Sequence, residues 1–273
     1  MDKRNSPQQT SAGFELVQIE ITTRCNFSCF YCAGRDMEQL DMSYATFEEC
    51  LQQHIEKYGV PAQVSLQGEG EPTLHRDFFR MAERVRELGS RPYTITNGTY
   101  KHGERFIGLF PSIGVSIDSL DANQAESIGR FNLPRVLEFI EALRNHVRII
   151  VHTVAVSTDI QAIANWCRNR KLEHQIQALQ TKSDYRYRYA ERAVSVQSIN
   201  ARFNCPYLAQ PFMRYYSVEG AELPCCFIKD MKSFPGMDAM YDHQRRGTSP
   251  PCCQGCRYAG WSTKPDPIIT RSD

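Results

Sequence analysis

Residues 23–32 read TRCNFSCFYC and set Cys25, Cys29 and Cys32 in a C-x3-C-x2-C array. They follow directly on a β-branched, apolar run, LVQIEIT at residues 16–22. A strand that ends in a loop of chemically active side chains is the opening unit of a β/α fold, in which function gathers at the C-terminal ends of parallel strands. The same rhythm repeats outward. Strand-like stretches recur at 63–67 (QVSLQ), 92–96 (PYTIT), 113–117 (IGVSI), 148–156 (RIIVHTVAV) and 174–179 (HQIQAL). Between them, residues 43–58, 77–88, 133–145 and 159–170 carry apolar side chains three and four apart, as helices do; Phe47, Leu51 and Ile55 form one such stripe, and Asp159 stands where a helix N-cap belongs. Six β/α units with right-handed crossovers predict an α/β chain folded as an open, partial (β/α)6 barrel of the TIM type, two units short of closure.

The chain has 273 residues, 41% of them apolar, and a formal net charge of +1. That composition supports a folded core and supplies no basic footprint for nucleic acid. No apolar run approaches the length of a membrane span, and residues 1–13 lack the apolar segment of a secretory signal. Eleven cysteines cannot all pair within one chain. Cysteine in a reducing compartment more often binds metal or performs chemistry, so a cytoplasmic metalloprotein without nucleic-acid or membrane partners is expected.

Three thiolates within eight residues can wrap one face of an iron–sulfur cubane and leave one iron open. Zinc, the alternative, calls for a fourth protein ligand that the neighbouring sequence does not offer. The array resembles that of the radical SAM superfamily. There three cysteines hold a [4Fe–4S] cluster whose open iron is chelated by S-adenosylmethionine. The resemblance implies that Tyr31 lies near the adenine. Gly68, Glu69, Gly70, Glu71 and Pro72 look like the family's "GGEP" motif, with Glu69 in place of its usual first glycine; Gly68, Gly70, Glu71 and Pro72 are then expected at the SAM amino group. Asn97, within TNGT at 96–99, and Ser116 and Asp118, in SID at 116–118, resemble motifs that face the ribose or methionine group. Arg130 is expected either near the SAM carboxylate or as a solvated residue flanking a helix. The likeness covers residues 14–180, with motifs at the ends of four successive strands.

Past residue 182 the alternation stops, and Cys205, Cys225, Cys226, Cys252, Cys253 and Cys256 crowd the sequence. Fourteen residues separate Cys205 from Gly220, and four separate Gly220 from Cys225. This resembles the opening of the SPASM/twitch extension of radical SAM enzymes. Residues 212–225 (FMRYYSVEGAELPC) read as a β-hairpin that returns Cys225 toward Cys205. The resemblance implies one auxiliary [4Fe–4S] cluster on Cys205, Cys225, Cys253 and Cys256, with Cys226 and Cys252 as rivals for two of these places. A zinc ribbon on the same thiols is the alternative. The expected organisation is a flexible tail at 1–13, the radical SAM barrel at 14–182, a twitch-like subdomain at 183–262 and a second tail at 263–273. Cys50 and Cys167, within helical patterns, are expected to be buried and inert. His54, His75, His102 and His152 read as structural or solvated. The alternating Tyr and Arg of 184–192 (DYRYRYAER) read as an edge strand with snorkelling arginines or as a contact for an anionic substrate, a peptide or RNA.

The resemblance implies reductive cleavage of SAM to a 5′-deoxyadenosyl radical, hydrogen abstraction from a substrate, and a two-electron oxidation that passes an electron to the auxiliary cluster. An electron donor such as flavodoxin or ferredoxin is implied. The short N-terminal tail leaves no room for a leader-binding module, which favours a small-molecule substrate over a short peptide. A peptide maturase and a non-catalytic zinc- or cluster-binding protein stand as the alternatives.

Overall fold

The structure is a computed structural model that describes residues 16–157, 159–180, 182, 202–209 and 212–259. The tails at 1–13 and 263–273 and the Tyr/Arg run at 184–192 lie outside the described residues. The first half is the expected alternation. Strand β1 is Leu16–Ile19, and helix α1 (Tyr44–Tyr58) leads to β2 (Gln63–Leu66). Helix α2 (Phe78–Glu87) leads to β3 (Arg91–Tyr93) and β4 (Ile95–Thr96). After β5 (Ser112–Ser116) come α3 (Ala122–Ile128) and α4 (Leu133–Leu143), then β6 (Arg148–Val154), α5 (Ile160–Asn169) and β7 (Glu173–Gln177).

The helices form where the sequence signals them. Ser43 caps α1 by accepting from the Thr46 amide, and Phe47, Cys50, Leu51 and His54 form its buried stripe. Asp159 does occupy the N-cap position of α5, yet it makes no capping bond; its carboxylate accepts instead from the Ser119 hydroxyl at 2.8 Å. The predicted strand at 92–96 is split at Thr94, whose hydroxyl turns back to the Leu66 carbonyl at 2.8 Å. Below the break β3 pairs with β2; above it β4 pairs with β5, so two sheets form one curved wall.

The strand order is β3-β2-β1-β8-β9 in one sheet and β4-β5-β6-β7 in the other. The hairpin read at 212–225 is present as β8 (Met213–Tyr216) and β9 (Glu222–Leu223), antiparallel to each other. Its first strand also runs parallel to β1, with Val17 against Arg214 and Ile19 against Tyr216, so the cysteine-rich segment contributes a strand to the barrel sheet itself. Arg214, almost fully buried, bonds Glu222 at 3.1 Å and the Tyr241 hydroxyl at 2.7 Å, and Glu222 in turn accepts from Tyr58 and Lys57 on α1. Two short helices, α6 (Pro206–Ala209) and α7 (Met237–Arg246), complete this segment.

Odd positions of β1 and even positions of β2 pack outward. Val17, Ile19, Val64 and Leu66 join Phe47, Leu51, Phe78, Met81 and Val85 of the helices in the main core. A second core holds Phe203, Leu208, Met213, Leu223 and Met240 together with Cys205, Cys225, Cys252 and Cys253. Contacts from Lys182 to the Phe227 carbonyl and from Arg257 to the Leu179 carbonyl tie that second core to the chain just after β7.

His54 is sealed inside the main core, and burial lowers its pKa from the ordinary 6.5 to about 4; Glu222 works against the shift while Arg214 and Lys57 add to it. The unfolded chain takes up a proton near pH 6.5 that the folded chain refuses until about pH 4. Stability is therefore full above 6.5 and falls as pH drops through this window. Urea unfolding at several pH values should show that fall, and His54→Leu should flatten it by one proton; an unchanged slope would show that His54 is hydrated.

Candidate active site

The cysteine loop leaves β1 and is fixed from three sides. Glu71 donates its backbone N–H to the Arg24 carbonyl at 2.7 Å. The amides of Ser28 and Phe30 bond the carbonyls of Gly129 and Ile128, the end of α3, at 3.0 Å each. Thr23 bonds the irregular segment 38–40 through its hydroxyl, donating to the Glu38 carbonyl and accepting from the Leu40 amide. Gly129 is at φ 95°, and a Cβ there would lie 2.2 Å from the Ser28 carbonyl oxygen. Only glycine lets the α3 terminus approach the loop this closely.

All three thiols are pushed up, mainly by burial, Cys25 to about 11. A charge on Cys29 raises Cys25 and Cys32 further, while Arg130 lowers Cys25 and Cys29, so the three thiols and the guanidinium share one electrostatic neighbourhood. Cys29 is buried, Cys32 half-buried and Cys25 exposed; three soft thiols so grouped on one loop are the donor set that an iron–sulfur cluster requires.

Around the loop stand the strand-end motifs. The Glu71 carboxylate is buried and accepts four hydrogen bonds: from the Thr73 amide and hydroxyl at 3.1 and 2.6 Å, from the Thr96 hydroxyl at 2.7 Å and from the Asn97 amide at 2.6 Å. Asn97 reaches the cysteine loop by donating to Asn26 at 2.7 Å. Pro72 starts the turn after β2. Gly70 is crowded against the Thr22 and Arg24 carbonyls, and Gly68 against the buried Glu20 side chain. Ser116 ends β5 in register with His152.

Asp118 is fully buried. One of its oxygens accepts from the Val154 amide at 2.8 Å; the other accepts from the Tyr31 hydroxyl at 2.5 Å and from Arg130. Arg130 also donates to the Tyr31 hydroxyl at 2.6 Å. Arg130 is thus neither solvated nor merely beside a helix, and Tyr31 carries its hydroxyl on a charged pair. Burial raises the Tyr31 pKa well above the ordinary range, so the phenol stays protonated as a donor.

Glu69, where the motif usually has glycine, does work that sequence reasoning missed. Its carboxylate accepts from the Gly34 amide at 3.1 Å and from the Cys32 thiol at 3.3 Å, and it pairs with Lys229 at 2.8 Å. The Lys229 charge lowers the Glu69 pKa against the effect of burial. Lys229 follows Cys226 by three positions, so this carboxylate joins the first cysteine loop to the second cysteine-rich segment.

In that segment Cys205, Cys225, Cys253 and Cys256 influence one another. Beyond burial, Cys205 is raised by Cys256 and Cys252, and Cys225 by Cys226, Cys205 and Cys256; Cys253 is raised above all by its contact with Cys252, then by burial, Cys225 and Cys256. Cys226 also meets charges from outside the cysteine set. Its neighbours are Lys229, which lowers it, and Glu69 and Glu20, which raise it, with burial the largest influence. Cys252 lies against the Met240 sulfur at 3.8 Å and 3.9 Å from the Cys253 sulfur. Among the described residues, no three His, Cys, Asp or Glu side chains gather tightly enough to hold a single metal ion. Cys50 and Cys167 are buried in the main core, and burial raises both to about 12.

The model of the Radical SAM superfamily matches residues 19–160, over half of the chain. The protein belongs to that superfamily, and with it come SAM and a [4Fe–4S] cluster as cofactors. Among curated relatives, the chain is 35% identical over 138 residues to a GTP 3′,8-cyclase of Marinobacter nauticus, covering 47% of this chain and 41% of the relative. It is 24% identical over 153 residues to an S-adenosylmethionine-dependent nucleotide dehydratase of Selenomonas ruminantium, covering 50% and 55%. The chain thus spans about half of these relatives. Among solved structures, SuiB of Streptococcus suis bound to S-adenosylmethionine superposes with a TM-score of 0.64 at 16% identity, over 81% of this chain and 62% of that one. The enzyme anSMEcpe, with bound AdoMet and the Cp18Cys peptide, superposes with a TM-score of 0.60 at 15% identity, over 89% and 86%. These likenesses show a shared fold. Among the described residues no helix is long and apolar enough to cross a membrane.

Gly129→Ala should displace the cysteine loop. A side chain at this positive φ costs about 1–2 kcal/mol before any clash is counted. A loss of at least about 2 kcal/mol in urea unfolding is expected, and a neutral result would show that α3 can retreat from the loop without cost.

Proposed function

We propose that the protein is a radical SAM oxidoreductase carrying two [4Fe–4S] clusters and acting on a small molecule. Cys25, Cys29 and Cys32 hold the first cluster. Gly68, Gly70, Glu71, Pro72, Asn97, Ser116, Asp118, Arg130 and the Tyr31 ring line the place for SAM. When bound, the reduced cluster supplies one electron to the sulfonium of SAM, yielding methionine and a 5′-deoxyadenosyl radical. The chain's own part is geometric: Glu71 locks the strand ends, Gly129 sets the depth of the loop, and the buried Asp118–Arg130 pair holds Tyr31.

In this reading residues 14–182 form the SAM barrel and 183–262 a twitch-like unit whose Cys205, Cys225, Cys253 and Cys256 hold the auxiliary cluster. The observation that carries it is the gathering of all six cysteines of this segment in one electrostatic neighbourhood; the spacing of Cys225 from Gly220 and the C-x2-C of Cys253 and Cys256 select these four. An auxiliary cluster gives a substrate radical an electron acceptor once it has lost a proton, so the net reaction is a two-electron oxidation, alcohol to ketone or a new crosslink. A flavodoxin or ferredoxin in the cytoplasm supplies the electron. A peptide maturase is the second reading, favoured by the superposition on SuiB and anSMEcpe, both solved with bound peptide.

Anaerobic reconstitution tests this. About eight irons per chain and 5′-deoxyadenosine on reduction are expected. Replacing Cys25, Cys29 and Cys32 together by Ala should halve the iron and abolish SAM cleavage; cleavage by that variant would overturn the reading. Cys225→Ala should lose iron that Cys226→Ala retains.

A further inference from the structure

Glu69 and Lys229 lie far apart in the sequence and meet beside the first cysteine loop. Glu69 Oε2 accepts from the Gly34 amide at 3.1 Å and from the Cys32 thiol at 3.3 Å, while Oε1 pairs with Lys229 Nζ at 2.8 Å. One oxygen thus holds the turn that follows Cys32, and the other holds the lysine. The turn lies close: a Cβ on Gly34 would sit 2.7 Å from Glu69 Cβ and 2.8 Å from the Glu69 carbonyl oxygen. A side chain there would push the turn off residue 69. The Glu69 backbone is held in turn, its amide donating to the buried Glu20 carboxylate at 2.9 Å.

Lys229 is aimed from the other side by the second segment. Ile228 before it is buried in the second core, and Asp230 after it caps the following turn by accepting from the Lys232 amide at 3.0 Å. The Lys229 ammonium lies 5.1 Å from the centre of the Tyr215 ring of β8. The side chains of Lys229 and Glu69 are only 7% and 16% exposed, so their charges are little screened by salt. The segment does not depend on this pair for its place. β8 pairs along β1, Glu222 bonds both Arg214 and Tyr58 of α1, and Arg257 reaches the Leu179 carbonyl.

The charges indicate what the pair does. A cysteine that binds iron does so as a thiolate. It then offers Glu69 no proton and faces it with like charge. A carboxylate without a counter-charge would be driven from that sulfur, and the Gly34 amide would lose its acceptor. Lys229 supplies the opposite charge on the second oxygen, so the carboxylate can keep its place on the turn. Groups that bond a ligand's neighbours orient the ligand, and charge near a cluster sets its potential.

We propose that Lys229, carried by the second cysteine-rich segment, is a positioning residue for the SAM-binding cluster: paired with Glu69, it holds the turn after Cys32 and balances the charge beside that cluster. The proposal rests on the reading above that Cys25, Cys29 and Cys32 hold the cluster; it does not depend on the auxiliary one. The test compares the unvaried protein with Lys229→Met, Lys229→Arg, Glu69→Gln and the double variant Glu69→Gln/Lys229→Met, each reconstituted anaerobically. Iron content, melting temperature and 5′-deoxyadenosine formation are measured, together with the midpoint potential of the EPR signal that changes when SAM is added. Charge balance predicts opposite shifts: a lower potential in Lys229→Met, a higher one in Glu69→Gln and a return toward the unvaried value in the double variant. Formation of 5′-deoxyadenosine should fall at least about tenfold in Lys229→Met. Lys229→Arg should restore it, and the double variant should restore part of it. A packing role alone would move melting temperatures without potentials of opposite sign. Potentials equal in all variants, shifts of one sign, or a double variant no better than Lys229→Met would overturn the proposal. If Lys229→Met does not fold, Glu69→Gln decides: a raised potential supports the pair, and an unchanged or lowered one overturns it. A Cys25, Cys29 and Cys32 triple Ala variant that keeps the SAM-responsive signal would instead overturn the cluster reading on which the proposal rests.

Discussion

The top of the barrel depends on one buried carboxylate. Glu71 places its two oxygens among the Thr73, Thr96 and Asn97 donors while its own amide holds the Arg24 carbonyl. Through that single residue the end of β2, the end of β4 and the cysteine loop share one position. Four hydrogen bonds into a buried carboxylate offset a desolvation that would otherwise exclude it, and they leave it no other arrangement. Asn97 and Asn26 extend the constraint across the loop, and the Asp118–Arg130 pair repeats it on the far side, where Tyr31 is fastened. The site is thereby organised by contacts within the chain before any cofactor arrives.

The two cysteine-bearing segments meet through Glu69. Glycine at this position would serve close backbone approach alone. A carboxylate there accepts from the Cys32 thiol on one side and pairs with Lys229 on the other. Cys226 meets both this bridge and Cys225, whose pKa it raises. The departure from the usual motif and the leftover cysteine are two aspects of one local arrangement.

Much of this was legible in the sequence because it is local. Period-two and period-3.6 patterns gave strands and helices close to their observed bounds, and the spacing of Cys25, Cys29 and Cys32 identified the loop. What stayed hidden depends on distant pairing. The run at 213–216 reads as a hairpin strand, but nothing in it names β1 as its second neighbour. Gly129 reads as a helix terminator, yet its closeness to Ser28 arises only once the chain has folded back across a hundred positions. The break at Thr94 divides a strand whose composition is uniform. Glu69 looked like a mild departure because its partner Lys229 comes from the far end of the sequence.

The pairing of β8 with β1 also shapes how the molecule is made. The first strand waits for a neighbour roughly two hundred positions further along, among the most non-local contacts a chain of this size can form. On the ribosome, β1 emerges early and keeps one edge bare through most of synthesis, while the cysteine loop attached to it stands open. Completion of the sheet and arrival of the second cysteine set are the same event, so the window for cofactor loading at the first loop closes only as the last quarter of the chain docks.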